Sequence, residues 1–293
     1  MATDQGPVVS SAQLRSELVR LRRDGALTQQ QVAKELEWST SKLIRIEGGH
    51  SSVTMVDLDA LLGMYGVAPG EDRDRLQALN RSAKETGWWS QYRSVIGATY
   101  LEYVGYEAGA ASLRQSQNSF VPGLLQTAEY ARAVSVVGTV DADEKDRLAT
   151  VVGLRMQRQR ELARREVPPG LCFAIDEAVI RRHVGLTTDP AIMPDQLRRI
   201  ADRAESDERV AVRVVPFGAG EHPGQFGPFT LLRFTGGMAD VLYLDAGLTG
   251  VNIVADDESQ LAEYASDFDE VIAKALSEED SIQLIRRAAD EMS

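Results

Sequence analysis

The stretch from Thr28 to Glu47 constrains the fold more than any other part of this chain. Two runs of helical character, Thr28-Gln29-Gln30-Gln31-Val32-Ala33-Lys34-Glu35-Leu36 and Thr40-Ser41-Lys42-Leu43-Ile44-Arg45-Ile46-Glu47, are separated only by Glu37-Trp38-Ser39. Thr28 stands at a helix start with Gln31 in the reciprocal position of a capping box. Ser39 caps the second run. Val32, Ala33, Leu36, Trp38, Leu43 and Ile46 are spaced to share one core. Ala33 is small enough to let the two helices cross closely, where a bulky side chain would push them apart.

The flanking sequence completes a small helical unit. Ala12–Asp24 sets Leu14, Leu18 and Leu21 on one face, and Gly25 is expected to end that helix in a left-handed conformation. Thr54 caps a fourth helix with Leu58, Leu61, Leu62 and Tyr65 facing inward. A fifth runs from about Pro69 to Ala83, with Glu71 and Asp72 in its first turn, where acids suit the helix dipole. Residues 1–10 show no period and read as a mobile tail, so 11–84 is expected to be an all-α domain.

Charge sharpens the reading. The chain has 32 basic and 44 acidic side chains, net −12, which on average repels nucleic acid. Residues 1–84 hold 11 of each sign, while the other 209 hold 21 basic and 33 acidic. Ser11–Gly49 carries 7 basic against 5 acidic, so the least acidic stretch surrounds the helix pair. In such a pair the first helix lies across a DNA backbone and the second enters the major groove, which is wide enough for one helix.

This pattern resembles the repressor-type helix-turn-helix family, the Cro/repressor-like or XRE fold, over roughly residues 11–68. The resemblance implies that Gln29 bonds a phosphate and that Thr40 and Ser41 reach base edges. Arg45 would take a guanine edge in a bidentate contact, and Lys42 would meet phosphate or base. It also implies a structural ion pair between Arg22 and Glu47. Gly48 stands where that family usually has Asn.

Lys84-Glu85-Thr86-Gly87 reads as a junction, and 85–293 as a second domain, helical over 88–166 and mixed α/β over 168–293. Trp88–Arg114 reads mainly as helix, followed by helices over Leu124–Val137 and from Asp141 to about Arg165. Leu171–Ile175, Ala211–Pro216, Phe229–Phe234 and Val241–Asp245 read as strands, the last two as a hairpin around Gly236-Gly237. Helices are expected over Asp176–His183, Pro194–Ser206, Ser259–Leu276 and Ser281–Glu291. The expected class is multidomain: an all-α helix-turn-helix domain followed by a mixed α+β domain with a small sheet.

The string Phe120-Val121-Pro122-Gly123-Leu124-Leu125-Gln126-Thr127-Ala128-Glu129-Tyr130-Ala131-Arg132 resembles the C-terminal domain of actinomycete regulators of the WhiJ-like, antitoxin-like type. Gly87-Trp88-Trp89, Arg155-Met156-Gln157-Arg158-Gln159 and Val214-Val215-Pro216-Phe217 match in the expected order. The resemblance implies a transcription regulator, often encoded beside a small partner protein.

Chemistry in the second domain is sparse. Arg155, Arg158 and Gln159 share helical spacing and either line a ligand or partner pocket or pair with Glu107, Asp176 or Glu177. Cys172 reads as an inert core thiol. His50, His183 and His222 lack ligand spacing, and no nucleophile motif stands in a catalytic context. The reading is therefore no enzyme, no metal and no cofactor. No run approaches the roughly 18 apolar residues of a membrane span and no leader pattern opens the chain, so it reads as cytoplasmic. Double-stranded DNA bound as a homodimer on an inverted repeat is the leading expectation, with Trp88–Ala111 as dimer surface. The alternative is an antitoxin-like module that holds a small partner protein and uses DNA binding for autoregulation.

Overall fold

The computed structural model describes residues 5–135, 144–245, 251–254 and 257–293. It divides into two units: one runs up to Ser90 and includes Thr235–Met238, the other comprises Gln91–Phe234 and Ala239–Ser293.

The first unit is all helical: α1 (Gly6–Asp24), α2 (Gln29–Glu35), α3 (Thr40–Glu47), α4 (Met55–Met64) and α5 (Glu71–Ser82). α2, α3 and α4 each begin on a side-chain cap. Thr28 and Gln31 form the reciprocal box at α2, Ser39 accepts from Lys42 N at 3.2 Å, and Thr54 accepts from Asp57 N at 3.0 Å. Their ends obey one rule as well. After α1, α2, α3 and α4 a left-handed residue turns the chain, and the two N–H groups there bond back to carbonyls of the last turn. Glycine fills that place after α3 (Gly49, φ +75°) and α4 (Gly66, φ +74°), but Ala26 (φ +52°) and Glu37 (φ +55°) fill it after α1 and α2. The left-handed residue is thus Ala26, not Gly25, which has φ −77° and still belongs to the helix end. The start of α1 is also corrected: it begins at Gly6, with Pro7 in its first turn, rather than after a tail through residue 10. Val9 and Ser10 are buried, which anchors this early turn. Leu14, Leu18, Val32, Leu43, Ile46, Leu58, Leu61 and Leu62 form the common core, each at most 2% exposed.

The second unit is built on a six-stranded mixed sheet of order β3-β2-β1-β4-β5-β6, from β1 (Ser112–Gln117), β2 (Gly170–Asp176), β3 (Val210–Val215), β4 (Phe229–Arg233), β5 (Val241–Asp245) and β6 (Val251–Val254). β1, β2 and β3 are parallel, so helices must carry the chain back between them. α6 (Ala98–Gly109) precedes β1; α7 (Ala128–Ser135) and α8 (Glu144–Arg164) join β1 to β2. α9 (Glu177–Arg181) and α10 (Ile192–Ser206) join β2 to β3. β4, β5 and β6 form an antiparallel meander, with Gly236 and Gly237 left-handed in the β4–β5 connection. α11 (Glu258–Lys274) and α12 (Glu278–Glu291) follow; Leu261, Phe268 and Val271 of α11 pack on Ala174, Phe229, Leu231 and Leu242 of the sheet.

Two readings of this unit are corrected. Trp88–Arg114 is not one helical stretch: Trp88–Tyr92 is a 3-10 turn, α6 ends at Gly109, and Ser112 opens β1. That strand, Ser112-Leu113-Arg114-Gln115-Ser116-Gln117, is central yet mostly polar, and β2 and β4 flank it on both sides. The helix expected over Leu124–Val137 begins at Ala128, after a 3-10 turn at Gly123–Leu125; Val136 and Val137 lie outside the described residues. The acidic run Asp141–Asp143 also lies outside them.

A charged cluster sits inside this unit. The Arg158 guanidinium, 5% exposed, grips Glu107, 3% exposed, with Nε donating to Oε1 at 2.7 Å. Tyr103 donates to the same carboxylate at 3.0 Å, the Tyr100 hydroxyl accepts from Arg158, and the Tyr103 ring stacks on Tyr243 with centroids 4.0 Å apart. Burial drives the Tyr103 phenol well above its ordinary pKa, and the Glu107 charge adds to the shift. Glu107→Ala strands a buried guanidinium, and urea unfolding is expected to show a loss of about 3–5 kcal/mol.

Candidate nucleic-acid interface

The helix pair is held by one polar network. Arg22 of α1 binds Glu47 of α3 through two bonds, Nε to Oε1 at 2.7 Å and Nη2 to Oε2 at 2.9 Å, with the side chains 12% and 5% exposed. The remaining Arg22 nitrogen, Nη1, donates to the Leu27 carbonyl at 2.9 Å. Gln29 Nε2 donates to Glu47 Oε2 at 2.8 Å. One carboxylate therefore ties α1, the start of α2 and the end of α3. Tyr65 lies beside it; burial, then the Glu47 charge, pushes its phenol up to about 12.

That network fixes which face of α3 looks outward. Leu43 and Ile46 are buried, while Ser41, Ile44 and Arg45 are exposed and Thr40 is half-buried at the first helical position. Arg45 makes no ion pair among the described residues. Lys42 is engaged: its Nζ bonds Asp57 Oδ1 of α4 at 2.6 Å and lies 3.8 Å from the centre of the Trp38 ring. Burial pulls the Asp57 carboxyl upward, but hydrogen bonds from Lys42 and Thr54 outweigh it and hold the group below its ordinary value. Gln29 spends one amide hydrogen on Glu47 and keeps a second for another acceptor.

A groove of about 310 Å³ runs beside α3. Ser41, Lys42 and Arg45 line it together with Ser39, Ser51 and Ser52; Thr40 and Gln29 do not. Ile44, Ser51 and Ser52 carry no mark of this placement in the sequence. Ile44 reads there as one more apolar helix residue, yet it is 47% exposed on the outward face. The two serines follow a turn at Gly48-Gly49-His50, and only chain reversal brings them back to the helix. Gly49 suits that turn because its φ is +75°, a left-handed conformation that favours glycine.

The second unit treats its three singled-out residues differently. Arg158 is spent on Glu107, and Gln159 Nε2 donates to the carbonyls of Gly123 and Gln126 at 3.0 and 2.9 Å. Arg155 Nη1 donates to Gln126 Oε1 and Ser135 Oγ, both at 3.1 Å, and is the one of the three that lines a surface depression. Arg155 and Gln159 thus fasten the Val121-Pro122-Gly123-Leu124-Leu125-Gln126 segment to α8. The described residues contain no cluster of metal-ligand type, and no described helix is long and apolar enough to cross a membrane.

Comparison with protein families gives two matches. Residues 100–287, more than half of the chain, match a family described as a domain of unknown function, DUF5753. Residues 13–76 match a helix-turn-helix domain family. Comparison with curated proteins and with solved structures gives no match.

The turn between α2 and α3 offers a stability test. Glu37 occupies a left-handed position that costs a residue with a Cβ about 1–2 kcal/mol, offset in glycine by about 0.5–1 kcal/mol of extra chain entropy. Glu37→Gly is expected to leave thermal stability equal or higher, whereas β-branched Glu37→Val lowers it; calorimetry of the two variants checks the order.

Proposed function

The chain belongs to the DUF5753 family, and from the helix-turn-helix unit that precedes this domain we propose that it is a sequence-specific DNA-binding transcriptional regulator. The observation that carries the reading is the outward face of α3. It presents Thr40, Ser41, Ile44 and Arg45 on a helix braced by Arg22 and Glu47, beside a groove rich in hydroxyls. Hydroxyl, apolar and guanidinium groups are the ones that read base edges, and Arg45 suits the O6 and N7 acceptors of guanine. Ser39, Ser51 and Ser52 are suited to phosphate oxygens, which position a reader without carrying sequence information. Gln29 contributes its second amide hydrogen to the same backbone. Lys42 joins them on leaving Asp57.

A single α3 covers few base pairs, so two copies on an inverted repeat, one helical turn apart, supply the specificity. The second unit then serves dimerisation and response to a ligand or protein partner. An antitoxin-like role, in which that unit mainly holds a small protein, is the second reading, and the net negative charge of residues 85–293 suits a basic partner.

Footprinting on the DNA upstream of its own gene tests the central claim, and a uniform pattern at every sequence would reject it. Within a protected site, Arg45→Ala is expected to weaken binding by about 1–3 kcal/mol and to relax the preference at one base pair. Light scattering is expected to give about twice the chain mass of 32.1 kDa, and a monomer filling a palindrome alone would overturn the dimer.

A further inference from the structure

A depression of about 200 Å³ lies in the second unit between α8 and the segment that leads into α6. Its floor is apolar: Val151 and Leu154 of α8 face Val95 and Ile96. Its rim is cationic. Arg147 and Arg155, two turns of α8 apart with Val151 between them, both line it. Tyr92 holds the opposite wall in place by donating to Gln157 Oε1 of α8 at 2.7 Å.

The charge on these arginines is not neutralised among the described residues. Neither has a carboxylate partner among the described residues; Arg155 makes two bonds to neutral oxygens, both through Nη1, and its Nε and Nη2 stay uncommitted. Residues 85–293 hold 33 acidic against 21 basic side chains, so leaving two adjacent guanidiniums unneutralised runs against the composition. By contrast Arg158, one turn further along the helix, is fully paired with Glu107. The start of α6 adds the same sign: Gly97, which lines the depression, caps the helix without a side-chain acceptor, and its first turn holds no acid.

We infer that this depression binds a small organic anion, a carboxylate or phosphate carried on a compact apolar body. Arginine suits the planar or bidentate acceptor edge of such groups, and Val151, Leu154 and Ile96 suit the apolar remainder. The volume is below the roughly 300–1,000 Å³ of sites for drug-sized ligands, which restricts the occupant to about the size of a substituted ring or a short chain. The site rests on the reading of this unit as the responsive part of a regulator, and gives that response a ligand class.

Calorimetric titration of the full chain at fixed ionic strength, with benzoate, hexanoate and phenyl phosphate as probes and benzyl alcohol as the uncharged control, tests it. At least one anion is expected to bind saturably while benzyl alcohol does not. Arg147 is exposed and has no partner among the described residues, so Arg147→Gln should fold normally and weaken that anion by at least about tenfold, the worth of a charge-assisted hydrogen bond. Val151→Trp fills the floor while keeping both charges, and should abolish binding. Binding by none of the three anions, or equal binding to wild type and both variants, overturns the site. A footprint retained by wild type in that case leaves the regulator reading standing; anion binding without any footprint has the opposite outcome.

Discussion

The arrangement of the first unit depends on one buried carboxylate. Glu47 accepts two bonds from Arg22 and one from Gln29, at 2.7 to 2.9 Å, with its side chain 5% exposed. Three helices meet there, and two of them, α2 and α3, are too short to hold their conformation alone in water. Apolar burial brings them together without specifying an angle, because it is non-directional. The bidentate pair supplies direction: a planar fork on a planar acceptor fixes the end of α3 against α1. Ser41, Ile44 and Arg45 point outward because Leu43 and Ile46 point inward and Glu47 is clamped.

The second unit uses the same device for another purpose. Arg158 and Glu107 tie α8 to α6 inside a set of tyrosines, where the surrounding rings exclude water and the Tyr100 and Tyr103 hydroxyls satisfy the remaining charge-bearing atoms. Such a pair is not chosen for net stability, since two desolvated charges return little beyond their own cost. It does impose geometry: only one registry of α8 puts Arg158 on Glu107, Gln159 on the Gly123 and Gln126 carbonyls, and Arg155 on Gln126. That registry also sets Arg147 and Arg155 beside the depression on α8.

Local features are legible in the residues themselves, whereas of the long-range ones the Arg22–Glu47 pair comes only through the family resemblance and most others do not show at all. The starts of α2, α3 and α4 follow from Thr28, Ser39 and Thr54, whose caps act within three residues. β2, with Phe173, Ala174 and Ile175 buried in succession, reads as a strand wherever it lies. β1 does not, because Leu113 is its only large apolar residue; Gln115 and Ser116 are buried by β2 and β4, which the chain supplies much later. Ala26 is left-handed because the α1–α2 turn demands it there, and a glycine one place earlier misleads. Lys42 reads as a free cation until α4 folds back and sets Asp57 against it. Ser51 and Ser52 carry no periodic signal at all.

These captured charges bear on how the proposed DNA reader would discriminate. Residues 1–84 carry equal numbers of each sign, so little net attraction to the phosphate backbone remains, and at physiological salt charges beyond about 8 Å are largely screened. Non-specific affinity comes almost wholly from phosphate neutralisation. Lys42 is paired with Asp57 and Arg22 with Glu47, so two of the seven cations in Ser11–Gly49 are tied to carboxylates of other helices. On the proposed reading, affinity at a correct site would come from base edges near Thr40, Ser41, Ile44 and Arg45, and from a second copy bound alongside. Weak attachment everywhere else is the physical condition under which so small a set of base contacts can decide where the protein stays.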